Sequence, residues 1–144
     1  MINKKKQRKD ELQDKLLSAV VSVYLYMART AKFKGAEINF VDRILQSMFG
    51  GEIPLYKIEQ ARQKALSLRE AANFLNRTLN AADRTKIILN LISLAYYERS
   101  KINILGSVEI VVLVDLLRLE VNLLDAIYDL FEGKTDFINL SLSY

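Results

Sequence analysis

The sequence predicts an all-α domain of about seven helices, packed as a bundle with an internal pseudo-two-fold repeat. Three observations predict it. Breakers are scarce: 144 residues hold five Gly and a single proline, Pro54, so long segments run uninterrupted, which favours helices over a turn-rich β fold. A capping grammar recurs: Asn39 with Asp42, Ser67 with Glu70, Asn80 with Asp83 and Asn122 with Asp125, each opening an apolar periodic run. The Asn or Ser side chain accepts a hydrogen bond from a free N–H of the first turn, and the acid meets the positive end of the helix dipole. Third, sliding the chain by 64 residues pairs Ala31 with Ala95, Phe33 with Tyr97, Ile38 with Ile102, Asn39 with Asn103, Ile44 with Val108 and Met48 with Val112. The first three helices thus echo the last three, with the fourth as joiner. Asn103 fits the capping series less well, because Gly106 stands in the third place.

The first helix is expected from about Asp10 to Phe33. Leu12, Leu16, Ala19, Val20, Val23 and Met27 form its main stripe, and Leu17, Val21, Tyr24 and Ala28 widen it beyond what a surface helix needs. That width predicts a central helix. The second runs from about Phe40 to Phe49 and stops at Gly50-Gly51. The third starts at Pro54, where a missing N–H costs nothing, with Leu55, Ile58, Ala61, Ala65 and Leu66 facing inward.

The fourth spans about Leu68 to Leu79, with Ala71, Phe74, Leu75 and Leu79 inward. The fifth, Ala81 to Tyr97, carries Ile87, Ile88, Leu91, Leu94 and Ala95. The sixth, Ile104 to Leu119, contains "EIVVLVDLL". Its Val and Ile content suits a buried strand, but its length and the charges at Glu109, Asp115 and Arg118 favour a buried helix. The seventh, Leu123 to Phe131, stops at Gly133. The tail "KTDFINLSLSY" alternates Phe137, Ile138, Leu140 and Leu142 with polar residues and reads as a short strand or linker. The expected organisation is a basic segment over 1–9, the helical domain over 10–133 and a tail or linker over 134–144. A lone strand leaves its backbone groups unpaired, which motivates the expectation that the chain is the N-terminal part of a longer protein.

Composition narrows the chemistry. About half the residues are apolar, 51 %, enough for a core in one domain. There is no Cys, hence no disulfide or thiolate chemistry, and the expected address is cytoplasmic. There is no His, which removes the commonest general base and transition-metal ligand. No Gly-rich phosphate loop and no nucleophile elbow is present. The expectation is a protein that is not an enzyme and uses no cofactor. Asp10, Glu11 and Asp14 follow the basic start at once, which is not a signal-peptide pattern. The charge-free run from Leu16 to Ala28 is too short to span a bilayer.

Charge is unevenly spread. Residues 1–100 hold 18 Lys/Arg against 10 Asp/Glu, whereas 101–144 hold 3 against 7. The excess peaks in "KKKQRK", so Lys4, Lys5, Lys6, Arg8 and Lys9 form a candidate contact patch for an anionic membrane surface, placing the protein at the inner membrane surface. The alternative is an ordinary solvated helix start. No aromatic residue sits among these charges, which disfavours nucleic acid. In "AYYER", Tyr96, Tyr97 and Arg99 form a candidate partner surface, with ordinary core packing as the alternative. "ARQKALSLREA" shows charges at helical spacing and reads as a solvated face.

The layout resembles the TerB-like family, the helical domain named for a tellurite-resistance protein, and the related domain preceding the J domain of a membrane-anchored DnaJ-type co-chaperone. The family's mark is a long apolar helix, a turn of type Ala-Asp-Gly-x-Ile-Ser and a helix with an early Glu, occurring twice. The resemblance covers about residues 12–132. It implies an oxygen-rich metal site built from the turn acids. Here the turns are Lys34-Gly35-Ala36-Glu37-Ile38-Asn39 and Glu98-Arg99-Ser100-Lys101-Ile102-Asn103. Neither has Asp-Gly, and Asp42 alone keeps the early acid, its counterpart being Gly106. Lys32, Lys34, Arg99 and Lys101 crowd the turns, and a hard cation tolerates such neighbours poorly. No metal is therefore expected, and Glu37, Asp42 and Glu98 are the candidate ligands if one binds.

The resulting expectation is a non-catalytic helical interaction or regulatory module. Its partner is a protein or an adjacent domain of the same chain. The resemblance extends to bacterial proteins in which such a domain is joined to an ATP-binding-cassette-like domain. The alternatives are a degenerate divalent-metal sensor and a membrane-surface module.

Overall fold

The computed structural model describes residues 4–30, 45–46, 48–51, 53–98, 108–120, 122–123 and 142. Every regular element among the described residues is a helix: α1 Lys4–Thr30, α2 Leu55–Gln63, α3 Leu68–Thr78, α4 Ala81–Glu98 and α5 Val108–Leu116. The all-α class is therefore as expected. Five helices are described rather than seven, and of the residues paired by the 64-residue offset Ala31, Phe33, Ile38, Asn39, Ile44, Ile102 and Asn103 lie outside the described residues, as does nearly all of the seventh expected helix, so neither the seven-helix count nor the repeat is supported.

α1 is the longest helix, 27 residues, or about 40 Å at 1.5 Å per residue. It contains no Gly or Pro. It begins six residues before the expected Asp10, because Lys, Gln and Arg are good helix formers and nothing in "KKKQRK" stops propagation. The basic segment is thus continuous with the first helix from Lys4. Gln7 to Leu12 are all exposed, and Leu12, expected inside, is 36 % exposed. The core starts one turn later: Leu16, Leu17, Ala19, Val20, Val21 and Val23 are at most 2 % exposed. Their positions cover more than half the helix circumference. α1 therefore needs neighbours on several sides, and it packs against α2, α3 and α4. Each fully buried Leu or Ile in such a core contributes roughly 1.5–3 kcal/mol.

A helical turn through Leu45 and Met48 ends where the double glycine predicts. Gly50 adopts φ 71°, a conformation open to Gly without Cβ strain, and the Gly51 N–H donates back to the Gln46 carbonyl at 3.3 Å. Pro54 precedes α2 as its cap, with φ −58° and ψ 140°, one residue outside the helix rather than in it. Ile58 and Ala61 are buried on α2, whereas Leu55 is 66 % exposed and Ala65 is exposed, against expectation.

α3 and α4 start as their caps predict. Ser67 Oγ accepts the Glu70 N–H at 3.2 Å and Asn80 Oδ1 accepts the Asp83 N–H at 2.8 Å. Ala71, Ala72 and Leu75 seat α3, and Ile87, Ile88 and Leu91 seat α4. The Asp83 carboxylate is buried and meets Lys86 Nζ at 3.3 Å. α5 settles the strand-or-helix question in favour of helix, with Ile110, Leu113, Val114 and Leu117 buried.

α5 ends in a two-bond lock. The Leu119 N–H donates to Val114 O at 3.0 Å and the Arg118 N–H to Asp115 O at 3.0 Å. This is the Schellman pattern, with Arg118 at φ 54° where Gly is usual. The last carbonyls of α5 are then bound from the side. Arg84 Nη1 donates to Leu117 O at 2.6 Å and to Asn76 Oδ1 at 3.2 Å, while Asn76 Nδ2 donates to Leu116 O at 2.9 Å. A cation meets the negative end of α5, and α3, α4 and α5 are tied at one junction.

One residue of the tail, Leu142, is among the described residues. The Leu142 N–H donates to Met48 O at 2.8 Å, and its side chain, 9 % exposed, joins the core. At Leu142 the backbone partner is a helix-end carbonyl.

Candidate docking groove

A serine inside the apolar stripe of α1 fastens the wall of a concave surface. Ser22 is 4 % exposed. Its hydroxyl donates to Ser18 O at 2.7 Å and accepts the Leu66 N–H at 2.8 Å. The second bond fastens the α2–α3 connection onto α1. With its backbone held there, Leu66 does not turn into the core as its spacing predicts; it stays 36 % exposed. Phe74, on the second turn of α3, packs on the core with one part left open. Arg77 follows one turn on, exposed, with its Nε donating to Asn73 O at 3.3 Å.

Leu66, Phe74 and Arg77 form a ridge between two adjoining concavities. One, about 570 Å³, extends toward the end of α5 and is completed by Glu70, Asn73, Asn76 and Arg118. The other, about 710 Å³, extends toward α1 and is completed by Asp14, Lys15, Ser18, Lys64 and Thr78. The ridge residues line both, so the two hollows act as one groove with an apolar crest.

The groove carries four cations, Lys15, Lys64, Arg77 and Arg118, against two carboxylates, Asp14 and Glu70. Asp14 is engaged elsewhere: its carboxylate meets Lys57 Nζ on α2 at 3.2 Å. That hydrogen bond, with the carboxylate's charge, holds the Lys57 pKa above the ordinary lysine value, against burial, which lowers it. The field in the groove is positive. Its side chains offer guanidinium and ammonium donors, amides and two apolar surfaces, which suit recognition.

The described residues that line the two hollows include none of those singled out from sequence. Lys4, Lys5, Lys6, Arg8 and Lys9 lie on the first turns of α1, with Arg8 and Lys9 exposed. They stand before Lys15, the first groove cation. Tyr96, Tyr97 and Glu98 belong to the last turn of α4, with side chains outside the described part; Arg99, Glu37 and Asp42 lie outside the described residues. Among the described residues no three acidic side chains come together to hold a metal ion. No helix among them is long and apolar enough to cross a membrane.

Sequence reasoning missed Ser22, Leu66, Phe74, Arg77 and Arg118 as site residues. Leu66 lies within "ARQKALSLREA", which reads as a solvated face. A polar residue inside an unbroken apolar stripe, as Ser22 is in "AVVSVYL", was the one available signal, since a buried hydroxyl must find partners. Compared with protein-family models, curated proteins and solved structures, the chain matches none.

Proposed function

We propose that the protein is a non-catalytic helical interaction module and that the groove around Phe74 is where its partner docks. The observation that supports this is the shared ridge: Leu66, Phe74 and Arg77 line both hollows. A half-open aromatic side chain flanked by arginine is the composition of an interface anchor. The absence of His and Cys from the chain accords with binding rather than catalysis. The TerB-like resemblance, with seven helices and a pseudo-two-fold axis, accords with a regulatory or docking role beside another protein or domain. The test is a photo-crosslinking residue placed at exposed Asn73 in the native host, with exposed Gln60 on α2 as control. The reading expects a discrete adduct from position 73 and none from position 60. Equal labelling at both, or no adduct at 73, would count against it.

A second reading is favoured by one feature. α1 exposes every residue from Gln7 to Leu12, so Arg8 and Lys9 are accessible to an anionic bilayer surface. Sedimentation with phosphatidylserine vesicles tests it. Replacing Lys4, Lys5, Lys6, Arg8 and Lys9 by Gln should abolish co-sedimentation, and vesicle binding that survives the replacement would exclude the basic segment as the contact.

A further inference from the structure

We infer that the groove selects an acidic segment of a partner protein carrying one aromatic or aliphatic anchor; this rests on the docking reading above. Charge and shape together favour such a segment. An apolar anchor fits against Leu66 and Phe74, the apolar residues common to both hollows. Carboxylates on either side of that anchor meet Arg77 and Arg118 in one direction and Lys15 and Lys64 in the other. Of the two groove carboxylates, Asp14 is paired with Lys57 at 3.2 Å. Glu70 remains, at the α5 side, and it sets a register: the segment's acids fall at Arg77 and Arg118 and avoid the first turn of α3.

Two features make the cations ready for this use. Arg77 is anchored at Nε by Asn73 O at 3.3 Å, which leaves its terminal nitrogens for a bidentate carboxylate. Arg118 is held at φ 54° by the lock that ends α5, so its Cα is fixed at the groove edge. A non-Gly residue is disfavoured in the left-handed region, which points to a use for the arginine side chain at this place. A polynucleotide fits less well. Glu70 would face its phosphates, and among the described residues Phe74 is the only aromatic ring lining the groove, so successive bases lack a stacking platform there. A second copy of this chain would offer its own acidic residues 101–144, and the test separates that case by its stoichiometry.

The test uses the full chain and a display library of random peptides, selected in parallel on the protein and on its Arg77→Glu and Phe74→Ala variants. Circular dichroism checks that each variant keeps its helix content. The expected result is enrichment of peptides with two or more acids flanking a Phe, Leu or Tyr. Their affinity should fall about tenfold or more with Arg77→Glu, fall with Phe74→Ala, and weaken as salt rises. Enrichment of basic or neutral peptides, or binding indifferent to Arg77→Glu, would overturn the inference. So would tighter binding of single-stranded oligonucleotide, or a concentration-dependent dimer in sedimentation that Arg77→Glu dissolves. If position 73 still crosslinks a partner while the library shows no acidic preference, the partner chemistry fails and the docking site stands. If both fail, the docking reading fails as well.

Discussion

Two arginines near the end of α5 show opposite uses of the same side chain. Arg84, on α4, is consumed by the protein: its guanidinium binds Leu117 O at 2.6 Å and Asn76 Oδ1 at 3.2 Å, and its Nε approaches Asn80 O at 3.4 Å. Arg118, just past α5, is exposed at the edge of a groove and sits in a backbone conformation that disfavours it. One cation holds three helices together. The other adds nothing visible to that junction while carrying a conformational cost. The contrast separates a charge that builds the fold from one exposed at the groove, and Arg77, exposed and lining both hollows, is grouped with the second under the proposed docking reading.

The largest effect that would break this contrast comes from Arg84. Arg84→Leu removes a charged donor from three acceptors, Leu117 O, Asn76 Oδ1 and Asn80 O, so it should cost about 2–3 kcal/mol, read by urea denaturation. A loss below the error of the measurement would mean that the junction is dispensable. Ser22→Ala comes next. It leaves the Leu66 N–H without its 2.8 Å acceptor, and should cost about 1–2 kcal/mol while loosening the groove wall. Hydrogen exchange at Leu66 should accelerate, and unchanged protection there would show that the serine does not pin the connection.

Smaller effects sharpen the picture. Asn80→Ala should cost about 1 kcal/mol as a lost cap, the Asp83 N–H being its donor at 2.8 Å. Arg118→Gly should raise stability by roughly 0.5–1 kcal/mol, since relief at φ 54° outweighs the added freedom of Gly in the unfolded chain. A stability gain together with weaker acidic-peptide binding is the joint signature expected of a strained binding residue. Least is expected of the Lys57–Asp14 pair, which is partly open to solvent and worth at most about 1 kcal/mol. Lys57 has its folded pKa raised. Its contribution is therefore complete below the unfolded lysine value of about 10.4 and is lost as pH rises through the folded value. Comparing the wild type with Lys57→Met, the stability difference should be flat from pH 7 to 9 and shrink above that; a difference that shrinks between pH 7 and 9 would contradict the assignment.

What was legible in the sequence was local or periodic. The Ser67 and Asn80 caps involve residues three apart, so their spacing alone specified two helix starts that hydrogen bonds now mark. The width of the apolar stripe on α1 placed that helix at the centre. What was not legible depends on distant pairs. Leu66 has the spacing of a core residue, yet it is exposed, with its N–H bonded to a hydroxyl 44 residues away. Leu142 reads as half of a strand, yet its amide finds Met48 O. Arg118 gave no turn signal, because the left-handed position that ends α5 usually announces itself by Gly. The groove inherits this: its crest consists of residues whose periodicity or charge reads as ordinary core or ordinary surface.

The central claim is that Arg77 serves a partner and Arg84 serves the fold. It is tested most directly by the crosslinking yield from position 73, measured on the Arg77→Glu and Arg84→Gln backgrounds below both melting transitions. The account predicts a loss of about tenfold or more with Arg77→Glu at an unchanged Tm, and a retained yield with Arg84→Gln at a lowered Tm. A yield indifferent to Arg77→Glu, or one abolished by Arg84→Gln while the fold is intact, would contradict it.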